Sequence, residues 1–173
     1  MNSNIYLSPH FSLKEMTDSQ TAVKYGINNS PPAEAVENLR ALCVHTLEPL
    51  RNALGLPIII SSGYRTKALN DKLAHSSERS QHMLGQAADF WVQGSKFKVQ
   101  GEEAPSRREL LIKAFRLIIL DESIDYDQLI LYPTFIHVSY VSRERNRHTI
   151  LLGMRNGKLG YGKCSVENAL RIV

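Results

Sequence analysis

Ser80-Gln-His-Met-Leu-Gly-Gln-Ala-Ala-Asp89 carries a histidine and a carboxylate seven residues apart, with Gly85 between them. On one continuous helix His82 and Asp89 share a face but stand about 10 Å apart along the axis. That is too far for two ligands that must each sit roughly 2.0–2.2 Å from one metal. Gly85 supplies a break at which the chain can fold back. Beyond it, Ala87-Ala-Asp-Phe-Trp-Val92 is a short apolar run rich in strand formers. His82 is therefore expected on a loop or helix end, and Asp89 on a buried strand. A carboxylate among Ala88, Phe90, Trp91 and Val92 is costly to bury unless it is paired or binds a cation. A positive group is expected beside it.

A second anomaly lies in Phe135-Ile-His-Val-Ser-Tyr140. Strand side chains alternate, so Phe135, His137 and Ser139 face one way and Ile136, Val138 and Tyr140 the other. Pairing of the two strands brings His137 and Asp89 together, since opposed Cβ atoms lie about 5 Å apart. One acid and two histidines with an open fourth position form the ligand set of a catalytic zinc site. The plainer alternative is a core histidine beside a structural Asp–His pair, and the spacing alone leaves both standing.

Ser80-x-His82-x-x-Gly85-x-Ala87-x-Asp89, followed by the Ile-His137-Val strand, resembles the zinc D-Ala-D-Ala carboxypeptidase family of cell-wall peptidases, which includes phage endolysin-type and bacterial endopeptidases. Upstream, Ser61-Ser-Gly-Tyr-Arg65-Thr is similar to the Ser-Gly-Tyr-Arg element of that family. The resemblance covers roughly residues 5 to 141. It implies zinc held by His82, Asp89 and His137, with Arg65 lining the substrate cleft and Ser80 contacting substrate or orienting the site. Relatives carry a carboxylate or histidine shortly before the last metal histidine, whereas this chain has Thr134 and Phe135 there.

The 173 residues, 43% of them hydrophobic, suit one domain over 1–173 with a real core. The net charge of +4 is scattered rather than blocked. A scattered basic excess usually means only solubility, though it is compatible with an anionic polymer such as a bacterial wall; nucleic acid is disfavoured, since no basic run with interleaved aromatics exists. Cys43 and Cys164 give neither a disulfide framework nor a metal-binding pair. No signal peptide and no stretch long enough to span a bilayer is visible. The expectation is a soluble monomer, made in the cytoplasm and acting on peptidoglycan peptides at the wall after phage-type release.

Ser12-Leu-Lys-Glu15 and Ser106-Arg-Arg-Glu109 read as capping boxes opening helices. A short helix is expected from Ser19 to Tyr25, ending at Gly26, and a long amphipathic one from Ser30-Pro-Pro to Gly55, kinked at Pro49. His45 and His75 read as structural or solvated. Pro57 to Ser61 reads as a buried strand delivering Arg65 to a turn, with Thr66 capping a helix through Leu73. Gln93 to Glu103 reads as a loop. Asp127 to Tyr132 and Phe135 to Tyr140 form a hairpin, and Thr149 onward a second with its turn at Asn156-Gly157. The predicted class is α+β: an antiparallel sheet with helices packed on one side and the zinc site on the sheet.

Zinc with an open position acidifies a bound water to a pKa of about 7 and polarises a carbonyl. Hydrolysis also needs a proton acceptor and donor. The hairpin register puts Ile130 opposite His137, and Gln128 and Tyr132 on the same face, with Asp127 on the other. Gln128 and Tyr132 are thus the catalytic candidates beside Arg65, with Glu102 and Glu103 as loop carboxylates. Two readings follow: a zinc peptidase cutting bonds that involve D-residues in stem peptides, of carboxypeptidase or endopeptidase type, and a wall-binding module that keeps the metal fold without turnover.

Overall fold

A computed structural model describes residues 5–74, 76–94, 104–155 and 158–172. The chain opens with a small antiparallel pair, β1 (Tyr6–Ser8) and β2 (Phe11–Ser12), then α1 (Leu13–Thr17) and α2 (Gln20–Tyr25). Ser12 and Ser19 cap these helices by accepting from the Glu15 and Ala22 amides, and Gly26 ends the second.

The long helix is α3 (Ala33–Leu42), a π-helical turn over Cys43–Leu47, and α4 (Glu48–Leu54). Pro49 explains the interruption. It has no N–H to give the His45 carbonyl, four residues back. That carbonyl instead accepts from the Asp125 amide at 3.0 Å, while the Thr46 hydroxyl donates to the Asp125 carbonyl at 2.5 Å. The expected kink is thus a wide turn bonded to the segment leading into the central strands.

Next come β3 (Ile58–Ser62), α5 (Lys67–Asn70), a 3-10 turn over Gln81–Leu84 and β4 (Ala87–Val92). They are followed by α6 (Arg107–Leu120), β5 (Gln128–Leu131), β6 (Ile136–Ser139), β7 (Thr149–Arg155), β8 (Lys158–Cys164) and α7 (Val166–Ile172). Ser106 and Glu109 form the expected capping box at α6. Thr66 caps α5, which ends at Asn70 rather than Leu73. His75, most of the Gln93–Glu103 loop and the Asn156-Gly157 turn lie outside the described residues.

Six strands form one sheet in the order β3-β4-β6-β5-β7-β8. The α+β architecture is as predicted, but the sheet is mixed, because β5 and β7 pair in parallel. Ser139, Gln128 and Thr149 are successive partners across β6, β5 and β7. The chain leaving β6 therefore passes over the start of β5 and re-enters the sheet on its far side. The sequence shows the strands but not this crossing.

Alternation divides the sheet into two faces. Phe90, Val92, Leu129, Leu131, Ile136 and Val138 join the helices in the core. Asp89, Trp91, Phe135, His137 and Gln128 stay partly exposed on the opposite face. Two glycines bring the metal-side loops close to the helices. Gly85 has φ +71, and a Cβ there would lie 2.3 Å from the Ala35 carbonyl on α3. A Cβ on Gly63 would lie 2.3 Å from the Met16 carbonyl.

Gly85→Ala combines left-handed strain of about 1–2 kcal/mol with a backbone clash of about 1–3 kcal/mol. Denaturant titration should show a stability loss of about 2–5 kcal/mol. A loss below about 1 kcal/mol would mean that the turn does not lean on α3 as described.

Candidate metal centre

Asp89 and His137 are direct partners across β4 and β6, between Ser62 on one side and Ile130 on the other. His82 reaches them from the 3-10 turn, which the left-handed Gly85 closes. The His82 Nε2 lies 3.2 Å from His137 Nδ1 and 3.3 Å from Asp89 Oδ1, and His137 Nδ1 lies 2.8 Å from that same oxygen. Four tetrahedral ligands about 2.1 Å from one zinc stand about 3.4 Å apart. The three donors already stand near that spacing, and among the described residues they are the group placed to share an ion.

The surrounding bonds suit coordination. The Nδ1–H of His82 donates to the Gly63 carbonyl at 2.7 Å, which fixes the tautomer and leaves the Nε2 lone pair aimed at the other two donors. Asp89 Oδ2 accepts from Arg65 Nη2 at 2.7 Å, so Oδ1 is the oxygen presented. Arg65 is itself steadied by Nε donating to Ser62 Oγ at 2.9 Å, and its amide donates to the His82 carbonyl at 3.1 Å. Burial disfavours charge on both His82 and Asp89. For His82 burial prevails, so its pKa falls and the imidazole is neutral and ready to bind a cation. For Asp89 the contacts with His82 and His137 outweigh burial and hold the carboxyl well below the usual range.

The structure places the other predicted residues as follows. Gln128 is partly buried and pairs with Ser139, and Ile130 pairs with His137, as the register predicted. Tyr132 donates its amide to the Phe135 carbonyl, and the two rings stack with centroids 4.3 Å apart. Tyr132 also lies across Gly153, where a Cβ would come within 2.4 Å of the ring. Ser80 precedes the 3-10 turn without capping it through its side chain. Arg65 does not simply open into a cleft: it is engaged with Asp89, with Nη1 the terminal nitrogen left over.

Asp127 needs a correction. Strand alternation put it on the opposite face from Gln128, but β5 begins only at Gln128, so alternation does not govern Asp127. Its buried carboxylate accepts from Gln81 Nε2 at 2.9 Å, from Ser139 Oγ at 3.3 Å and from Arg147 Nε at 2.8 Å. Burial would raise its pKa; the bonds and charge of Arg147, with Gln81, overcome this and hold it at about 2. This cluster locks the residue before His82 to the crossing segment. Sequence reasoning missed it, because Gln81, Asp127 and Arg147 share no local pattern.

A profile of the peptidase M15 family matches residues 9–111, and the chain belongs to that family of metallopeptidases. No curated protein matches the chain. The matched span includes Arg65, His82 and Asp89 and ends before His137, so the sheet register is what delivers the third donor.

Removing His82 by His82→Ala should abolish stoichiometric binding of one metal per chain, read by metal analysis after dialysis. Retained full occupancy would exclude the three-donor site. Arg65→Ala should weaken metal affinity about 10–100-fold while the fold persists, as loss of a group that orients a ligand does. Unchanged affinity would show that Asp89 does not depend on the guanidinium.

Because the Asp127 pKa is depressed from 3.8 to about 2, its stabilising contribution is complete above about pH 4 and disappears as the pH falls through about 2. Discounted for the exposed Arg147 side chain, that contribution is about 1–2 kcal/mol. The stability gap between the wild type and Asp127→Asn should be full at pH 5 and close near pH 2. A gap independent of pH would sink this assignment.

Proposed function

We propose that this protein is a zinc peptidase that hydrolyses bonds involving D-residues in the stem peptides or crosslinks of peptidoglycan. The observation that carries the reading is the convergence of His82 Nε2, Asp89 Oδ1 and His137 Nδ1 on one point, each steadied from behind or from its own strand. Zinc held by these three residues supplies Lewis acidity, which polarises a scissile carbonyl and acidifies water. The chain's own residues set the stage for that chemistry. Gly63 keeps His82 in the ligating tautomer, and Arg65 keeps Asp89 correctly turned by holding its Oδ2.

Ser80 and Nη1 of Arg65 are proposed to meet substrate, with Gln128 and Tyr132 as further polar groups on the metal-bearing face. Glu102 and Glu103, the loop carboxylates considered for proton transfer, lie outside the described residues. Action at the cell wall, as a monomer released in phage fashion, completes the proposal. None of the helices of the described residues is long and apolar enough to cross a membrane.

A wall-binding module without turnover draws on one observation. The second carboxylate that reaches the metal-bearing face, Asp127, is already bonded to Arg147, Gln81 and Ser139 and is not free to serve as a base.

Incubating the purified protein with peptidoglycan, with zinc or with chelator, separates these readings. Release of peptide fragments only with metal is expected, and mass spectrometry of the products identifies the bond. Sedimentation with the wall without release would favour the binding module. Neither release nor binding would overturn both.

A further inference from the structure

Arg65 is committed to Asp89 and Arg147 to Asp127, so neither guanidinium is spare for a second carboxylate. A different cation stands at the other end of the same face. Trp91 follows Asp89 by two residues on β4, so its side chain leaves the same side of the sheet about 7 Å along the strand. The Arg107 guanidinium lies over its ring, 3.9 Å from the centroid. A guanidinium flat on an indole is held in place while the N–H groups at its edge remain free. Arg107 is exposed, and no carboxylate among the described residues lies within ion-pair distance of it.

The surroundings make this a built edge. Stacked Tyr132 and Phe135 belong to the strand ends beside Trp91 on that face. The neighbouring Arg108 donates through Nη1 to the Tyr132 carbonyl at 3.0 Å, which ties the start of α6 to the end of β5. Gly153 leaves room for the Tyr132 ring. The metal-bearing face therefore ends in an aromatic strip with one cation parked on it.

We propose that Arg107, held on Trp91, is the receptor for a carboxylate of the peptide substrate, and so a specificity-determining residue. This rests on the peptidase reading, whose stem-peptide substrates carry a terminal carboxylate and an isoglutamate α-carboxylate. One residue of extended peptide spans about 3.3–3.6 Å. A carboxylate one to three residues from the bond at the metal therefore falls at Trp91 and Arg107.

Trp91 is the single tryptophan of the chain, so its fluorescence reports directly on this contact. The experiment mixes the full-length, metal-loaded protein with the pentapeptide L-Ala-D-isoGlu-L-Lys-D-Ala-D-Ala by stopped flow and reads the rapid binding phase, before peptide is consumed. Two twins serve as controls, one amidated at the C-terminus and one at the isoglutamate α-carboxylate. A charge-assisted contact of about 1.5–3 kcal/mol corresponds to about one to two decades in affinity. One of the twins should therefore bind about 10-fold or more weakly than the free peptide, and that twin identifies the carboxylate. In Arg107→Ala, which alters an exposed side chain, the free peptide and both twins should bind alike, and Arg107→Lys should restore little of the preference.

Equal binding of all three peptides to the wild type, absence of any binding, or a preference that survives in Arg107→Ala would each overturn the proposal. Because binding is read before turnover, these results stand apart from the peptidase reading, which fails only if metal-loaded protein releases no fragments from the wall.

Discussion

The Asp89 carboxylate is the point on which this structure turns. It is a charge on the second strand of the sheet, and burying it alone would be prohibitive. Its two oxygens divide the work: one takes the Arg65 guanidinium and the other faces both histidines. The bulge in β3 before Ser62 and the close approach of Gly63 to α1 place Ser62 and Arg65 at the Asp89 end of β4. The left-handed Gly85 against α3 returns the chain to the start of that strand. Helices, turns and register can thus be understood as ways of surrounding one ionised group with partners that satisfy it and leave a single oxygen for a cation.

Much of this was legible because the relevant signals are local. Gly85 between His82 and Asp89 marked a reversal, and the alternation around His137 marked a strand with one polar face. The hairpin register from Gln128 to Ser139 followed from the short Pro133-Thr134 turn and holds residue for residue. The capping serines Ser12 and Ser106 marked helix starts, since each side chain accepts an amide that the helix cannot satisfy internally.

What escaped the sequence depends on residues far apart in the chain. The parallel pairing of β5 and β7 is set by which side of β5 the chain chooses after Ser139, and no periodicity encodes that choice. Asp127 stands one residue outside its strand, so extending the alternation to it assigned the wrong face. Arg65 was recognisable as a functional cation, but its first partner is the metal-site carboxylate, 24 residues away, and only folding reveals it. The Arg107–Trp91 stack crosses from helix to strand and leaves no mark in either segment alone.

The crossing over β5 also bears on the order of events during folding. His137 and Asp89 meet across 48 residues of chain, and His82 and His137 across 55. Contacts of such separation form after the loop entropy between them has been overcome, so they belong to the slow part of assembly. β6 lies between β4 and β5, and β5 is in turn flanked by the returning β7. The three donors therefore come together as the interior of the sheet closes. A cation held there would enter a pocket whose walls, drawn from distant parts of the chain, come together only as the sheet closes.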